Sequence, residues 1–275
     1  MRCFPGGGSV SPMNMHTQPV GEMIREWRQR RRLSQLAFAC EADISARHLS
    51  FLETGRSRPS RDMLLHLAER LDMPFRERNA LMLAAGFAPV YSETGLDNPD
   101  AAAARRAVDL VLAAHEPFPA IAVDRHWNLV AGNAALPLFL AGIPEELLAP
   151  PVNVLRLSLH PQGLGSRIEN LGEWCAHVFE RLQRQIDLTN DESLTALLAE
   201  LKAYPAAAKA LEPINPEYGG IIIPLRLKTD AGTLSFFTTT TVFGTAVDIT
   251  FSELVIETFM PGDEFTAATV RAIMA

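Results

Sequence analysis

Leu33-Ser34-Gln35-Leu36-Ala37-Phe38-Ala39-Cys40-Glu41-Ala42-Asp43-Ile44-Ser45-Ala46-Arg47-His48-Leu49-Ser50-Phe51-Leu52 is the stretch from which the rest of the chain can be read. Ser34 and Ser45 stand where a side-chain oxygen can cap a helix start. Phe38 and Ala39 fall on the inward face of one short helix, and Ile44, Leu49 and Leu52 on that of the next, at helical spacing. Asp43 occupies the turn between them, and Asp enters the left-handed conformation more readily than most residues with a side chain. Thr54-Gly55 ends the second helix, because glycine past the last turn is the usual C-cap. The second helix then turns Ser45, Ala46, Arg47, His48 and Ser50 outward. Two helices joined this tightly predict a helix-turn-helix. Its second helix is expected in the major groove of double-stranded DNA, with its N-terminal side chains at base edges. Arg47 is the strong bidentate reader on that face, and arginine prefers the O6/N7 edge of guanine. Gln35, Arg56 and Arg58 flank the pair and are expected on backbone phosphate, a contact that sets register without reading sequence. A plain helical bundle with a solvated face is the alternative. It leaves the common register of caps, turn and glycine without a cause, although His48 by itself is as well explained as a surface histidine.

Outward from this stretch, residues 20–87 read as five short helices, an all-α helix-turn-helix domain. The first spans about Val20–Arg31 with Ile24 and Trp27 inward. Arg56–Pro59 is a loop, Ser60 caps a fourth helix with the apolar stripe Met63, Leu64, Leu67 and Leu71, and Pro74 opens a fifth that ends at Gly86. Residues 1–19, rich in Gly, Pro and Ser, read as a disordered tail with no signal-peptide layout, and Met13 or Met15 is a candidate natural start. Residues 88–104, with Pro89, Gly95 and Pro99, read as a linker.

Residues 105–275 form the second domain. A helix over 101–116 is stopped by Pro117 and Pro119, and Ala120–Val123 and Trp127–Ala131 make a hairpin around Asp124-Arg125-His126. A helical middle follows at Ala134–Ala141, Ser166–Ile186 and Glu192–Tyr204. Three β-branched, aromatic segments close the chain at Ile221–Lys228, Thr233–Val242 and Val247–Phe259. Five strands with helices inserted after the second predict an α+β domain with an antiparallel sheet.

Charge separates the two parts. Residues 1–90 carry 13 Arg and no Lys against 9 carboxylates, a net of +4, and residues 91–275 carry 12 cations against 23 carboxylates, a net of −11. Only the first part is suited to a polyanion. No apolar run reaches the roughly 18 residues of a bilayer span, so no membrane partner is expected. Cys3, Cys40 and Cys175 are far apart and suit a reducing cytoplasm. The chain lacks HExxH, CxxC, GxSxG and the phosphate-cradling GxxxxGK[ST], its seven histidines do not form a metal-ligand spacing, and Gly6-Gly7-Gly8 precedes no strand–helix unit. No enzyme, cofactor or metal is expected.

Ile24-Arg25, Arg28, Leu33-Ser34-Gln35, Phe38-Ala39, Ile44-Ser45, His48-Leu49, Leu52-Glu53-Thr54-Gly55-Arg56 and Pro59 resemble the Xre/Cro/CI-type helix-turn-helix family. Two departures stand out. Asp43 occupies the usual glycine position, and Leu36 and Ala37 replace polar residues, which implies that this face of the second helix is covered. The resemblance continues through Leu83–Pro89, His115–Ala120, Asp124-Arg125, Trp127-Asn128, Asn133, Leu159-His160-Pro161, Gly163, Asn170-Leu171 and Trp174, which look like the MmyB-like branch of these regulators. It implies a ligand-responsive transcription regulator whose C-terminal domain is PAS-like and holds a sensor pocket, with a fatty-acid-like molecule as the family's precedent; a homodimer is expected separately, from the docking geometry of helix-turn-helix domains. Polar residues embedded in the apolar segments, Asn133, Arg156, His160 and Arg226, are the candidate pocket contacts, joined by Trp174 on a stripe that is core by default. Arg156, His160 or Arg226 is the expected donor to a carboxylate head. The competing reading is a second domain that only dimerises or binds protein.

Overall fold

Ser34, Ser45 and Ser60 each accept a hydrogen bond from the backbone amide three residues on, at 3.0, 3.1 and 3.2 Å. Each cap contributes about 1 kcal/mol, and together they start three of the five helices of the first unit: α1 (Val20–Arg30), α2 (Gln35–Glu41), α3 (Ala46–Glu53), α4 (Arg61–Arg70) and α5 (Phe75–Ala84). The computed structural model describes residues 18–205, 207–208, 222–244 and 246–275. The expected tail lies outside the described residues as far as residue 17, as do Ile221 and Thr245 of the expected strand and turn.

Asp43 turns the chain with φ 51°, and Gly55 ends α3 with φ 71°. Ile24, Phe38, Leu49, Leu52, Leu64, Leu67 and Leu71 are fully buried in one cluster. α1 crosses α3 at Gly21, where an added Cβ would lie 2.4 Å from the Leu52 carbonyl oxygen. On α2, Leu36 is not covered within the helical unit and is 66% exposed. The front of the expected linker packs on α5. Tyr91 stacks on Phe75 at 4.1 Å, and Asn79 on α5 donates to the Tyr91 carbonyl and accepts from the Val90 amide.

The second unit contains α6 (Ala102–Ala114), β1 (Ala120–Val123), β2 (Leu129–Gly132), α7 (Pro137–Leu140), α8 (Val154–Leu159), α9 (Leu171–Thr189), α10 (Glu192–Lys202), β3 (Leu225–Thr229), β4 (Gly232–Val242), β5 (Val255–Pro261) and the C-terminal α12 (Glu264–Met274); α11 (Ile249–Ser252), between β4 and β5 in sequence, falls in the helical unit. Every neighbouring pair in the sheet is antiparallel, in the order β2-β1-β5-β4-β3. Ile121 pairs with Glu257, and Glu257 with Thr240, so these three share one face of the sheet with Phe259 and Thr238. The architecture is the one expected: an all-α helix-turn-helix unit and an α+β unit with a five-stranded antiparallel sheet.

Three elements differ from expectation. The segment read as one strand over Val247–Phe259 is split. The Asp248 carboxylate caps Thr250 at 2.9 Å, forming α11, and the strand begins only at Val255. α8 is capped by Asn153 and α12 by Asp263, and both were absent from the reading because six residues give little periodicity and the last segment was not assigned. Residues 246–252, although flanked by β4 and β5, cluster with the helical unit. There Asp248 accepts from the Ser92 hydroxyl at 2.8 Å and the Thr94 amide at 2.9 Å, and the Ile249 amide donates to the Ser92 carbonyl.

Candidate nucleic-acid interface and ligand cavity

The outward face of α3 is held by a network beneath it. Arg28 on α1 donates from Nε to Glu53 Oε1 at 2.6 Å and from a second nitrogen to Oε2 at 3.0 Å. Gln35 on α2 donates to the same Oε2 at 2.7 Å. The Glu53 side chain is 0% exposed. Burial pushes its carboxyl up, but Arg28, Gln35 and Arg25 together hold it below the usual carboxylate range. A charged, buried carboxylate therefore joins α1, α2 and α3 at one point and fixes the attitude of α3. Above it, Ser45 and Arg47 are exposed and Ala46, His48 and Ser50 half-buried. The Arg47 guanidinium lies 5.4 Å from the Phe51 ring and that of Arg56 lies 6.0 Å from the same ring. Phe51 is thus a platform that orders two cations. Arg58 is exposed in the following loop.

The second unit contains a partly open cavity of about 80 Å³ between the sheet and α7, α8 and α9. Its wall is apolar: Ile121 and Phe259 from the sheet, Leu136 and Phe139 around α7, Leu157 from α8, Val178 from α9. Trp127 also faces it, with φ 67° in the left-handed region, a costly conformation for a bulky residue. Hydrogen bonds retain it there: its indole donates to Gln185 at 2.8 Å and its carbonyl accepts from the Val154 amide at 2.9 Å.

Ser158, His177, Arg181, Thr238 and Glu257 are the polar residues among those that line the cavity. Arg181 on α9 makes a two-pronged pair with Glu257 on β5, one bond at 3.0 Å and the other very short. Thr240 bonds both partners, at 2.9 Å to Arg181 and 3.0 Å to Glu257. The guanidinium lies 4.5 Å from the Trp127 ring. Ser158 and His177 also line it, Ser158 accepting from the Trp174 indole at 2.7 Å. Burial, aided by Arg181 and Arg184, lowers the His177 pKa, so the imidazole is neutral near pH 7.

A family model described as the MmyB-like transcription regulator ligand binding domain matches residues 104–273, and a helix-turn-helix model matches residues 24–78. The chain belongs to the MmyB-like transcription regulators. No curated protein matches it significantly. As a member of that family it is a DNA-binding transcription regulator with a ligand-binding domain. Among the described residues, no helix is long and apolar enough to cross a membrane.

The polar side chains singled out from sequence are dispersed in this MmyB-like regulator. Trp174 lines the cavity. Asn133 ties α6 to β1, donating to the Leu112 and Phe118 carbonyls and accepting from the Ala120 amide. Arg156 is exposed and bidentate to Glu200 on α10 at 2.8 Å. His160 meets the Tyr204 ring edge-on at 5.5 Å, and its Nδ1 accepts from the Gln162 amide. Arg226 sits on β3, its amide bonded to Asn170. None of these four is among the residues that line the cavity. Gln35 commits one amide donor to Glu53, and an amide has two. The sequence reading did not single out Phe51, Ser158, His177, Arg181 or Glu257. A signal existed for two of them: His177 and Arg181 are four apart and interleave with Trp174 and Val178 on one stripe of α9.

Proposed function

We propose that this regulator binds a specific operator as a cytoplasmic homodimer through α3, and that its PAS-like second domain tunes this binding to a lipid-like molecule of the fatty-acid class, a hydrocarbon chain with a small polar end. The observation that carries the reading is the cavity. Its lining is mostly apolar with a few polar side chains, which is how sites for small amphiphiles are built. An open antiparallel sheet with its helical insertion over one face provides the two layers such a site needs. On the DNA side, Arg47 is the base reader, Ser45, Ala46, His48 and Ser50 are its neighbours at the groove, and Arg56, Arg58 and Gln35 hold phosphate. The protein performs no catalysis in this reading, and its chemistry is binding.

Size adds a constraint. A cavity of about 80 Å³ is smaller than the roughly 150 Å³ that takes a benzene ring. A short chain fits with little change, while a longer one must displace lining side chains, of which Leu136, Leu140 and Val154 are only half-buried. The test is a thermal-shift series on the full chain with amphiphiles of increasing length. Binding to the folded form alone stabilises it by about 2.7 kcal/mol at a hundredfold excess over Kd. A shift that depends on chain length supports the sensor. No shift at any length leaves a second domain that only dimerises or binds protein. The dimer is tested by sedimentation with duplexes carrying one half-site or two half-sites one helical turn, roughly 34 Å, apart.

A further inference from the structure

We infer that Arg167 sets the length of ligand the cavity admits, by pinning the C-terminal end of α7, the wall that yields to a longer chain. The inference rests on the sensor reading and deepens it. The other walls are held along their length. The sheet is a continuous antiparallel ladder. α9 is 19 residues long and tied to β5 through Arg181 and Glu257. α8 is capped by the Asn153 side chain, which also donates to the His126 carbonyl at 2.8 Å. α7 has four residues and no side-chain cap at its start, yet it supplies Phe139 and Leu140 to the lining.

The two ends of α7 differ. The first is seated on β2, where a Cβ at Gly132 would fall 2.5 Å from Leu136 Cδ2. The second runs into Gly142, at φ 76° with open space around it, a backbone that glycine adopts at little cost. Across this looser end lies Arg167, between α8 and α9. Its guanidinium donates to the Ala141 carbonyl at 3.0 Å, the Phe139 carbonyl at 3.2 Å and the Leu138 carbonyl at 3.5 Å. A cation on the last carbonyls of a helical turn meets the negative end of their dipoles. The Arg167 backbone is itself fixed to β3, its carbonyl accepting from the Lys228 amide at 2.8 Å. Arg167 thus ties α7 to the sheet without being among the residues that line the cavity. Phe139 ties it from within, its ring edge-on to Phe236 at 5.5 Å and to Phe259 at 4.8 Å. Freed from Arg167, the end of α7 can turn about Gly142 and draw Phe139 outward, which lengthens the cavity.

Hexanoate and dodecanoate, each below its micelle-forming concentration, are titrated calorimetrically into the full-length protein and into Arg167→Met, which keeps an apolar stem and removes the guanidinium. A methylene fitted into an apolar pocket is worth about tenfold or more in discrimination. The affinity ratio of dodecanoate to hexanoate is therefore expected to rise at least about tenfold in Arg167→Met. General loosening of the fold would weaken both acids together and leave the ratio where it was. Arg167→Lys retains a cationic donor for the carbonyls and is expected to bring the ratio back toward that of the wild type. An unchanged ratio in a folded Arg167→Met protein overturns the inference and leaves the sensor reading standing. Binding of neither acid to either protein removes the sensor reading and this inference with it. Should Arg167→Met fail to fold, hydrogen exchange of the wild type decides. Dodecanoate, compared with hexanoate, is expected to speed exchange at the Phe139, Ala141 and Ile143 amides, and equal exchange with both acids overturns the inference.

Discussion

Arg47 and Glu53, six residues apart in one helix, do opposite work. Arg47 is exposed beside Phe51 and is available to a base edge. Arg47→Ala is expected to weaken operator binding by about 1–3 kcal/mol and to relax preference at one base pair. Gel-shift titrations with the operator and a scrambled duplex check this, and equal losses on both would remove the base-reading role. Glu53 is buried against Arg28, and its loss leaves a buried charge without a partner. Glu53→Gln is expected to cost about 3–5 kcal/mol of helical-unit stability at neutral pH. The pH dependence follows from a carboxyl held below its usual range. Such a group adds stability above the unfolded pKa, and that stability disappears as pH falls through the folded value. Acidification from about pH 7 to about pH 3 should therefore shrink the difference between wild type and Glu53→Gln in denaturant melts. A difference that stays constant would show that the pair does not act through charge.

At the scale of elements, the approach of α1 to α3 is set by the missing side chain at Gly21. Ala there would place its Cβ against the Leu52 and Glu53 carbonyl oxygens, which are backbone and cannot rotate away. Gly21→Ala is expected to destabilise by about 1–3 kcal/mol, the usual cost of overpacking. Because the same displacement strains the Arg28–Glu53 pair, operator affinity should fall as well. Melting and binding measured on one preparation check both effects. The loop after α3 carries Arg56 and Arg58, and neutralising either is expected to reduce the salt dependence of binding by up to about one phosphate contact on any duplex. An unchanged slope would take that residue out of the interface. Local signals made these elements legible: Ser34, Ser45 and Ser60 cap, and Asp43 and Gly55 adopt the left-handed backbone their positions call for. The same kind of evidence misread Val247–Phe259. Its β-branched and aromatic residues suit a buried helical turn as well as a strand, and the Asp248 cap decides in favour of the turn.

For the whole molecule, the division of charge and the path of the chain matter most. The helical part is basic and the remainder acidic, so attraction to duplex DNA is confined to the part that carries α3. Residues 246–252 belong to the helical unit although β4 and β5, which carry Thr238, Glu257 and Phe259 of the cavity, lie on either side in sequence. Burial acts to raise the Asp248 pKa, but hydrogen bonds from Thr94 and Ser92 hold the carboxyl below its usual range. Asp248→Ala removes the acceptor for both, and is expected to lower stability by about 1–3 kcal/mol and to raise hydrogen exchange at Thr94 and Ile249. Unaltered exchange there would show that the segment is held by Ile249 and Phe251 burial alone. Any effect of ligand on operator affinity must be matched by an equal effect of operator on ligand affinity, so an amphiphile that binds, titrated with and without operator, measures the coupling twice.

The sequence by itself determined the helix-turn-helix and the five-stranded α+β domain. Each of these rests on interactions spanning a few residues: caps, turns and the period of apolar side chains. Tertiary structure alone decided the ion pairs and the cavity. Arg28 meets Glu53 across 25 positions and Arg181 meets Glu257 across 76. No local pattern encodes such a meeting, because it depends on how helices and strands pack. Arg156 shows the converse. In sequence it is a cation among leucines and a natural pocket donor, but in the fold it points to Glu200, 44 residues away on α10. A charge in an apolar segment announces that it needs a partner, and only packing determines whether that partner is a ligand or another side chain.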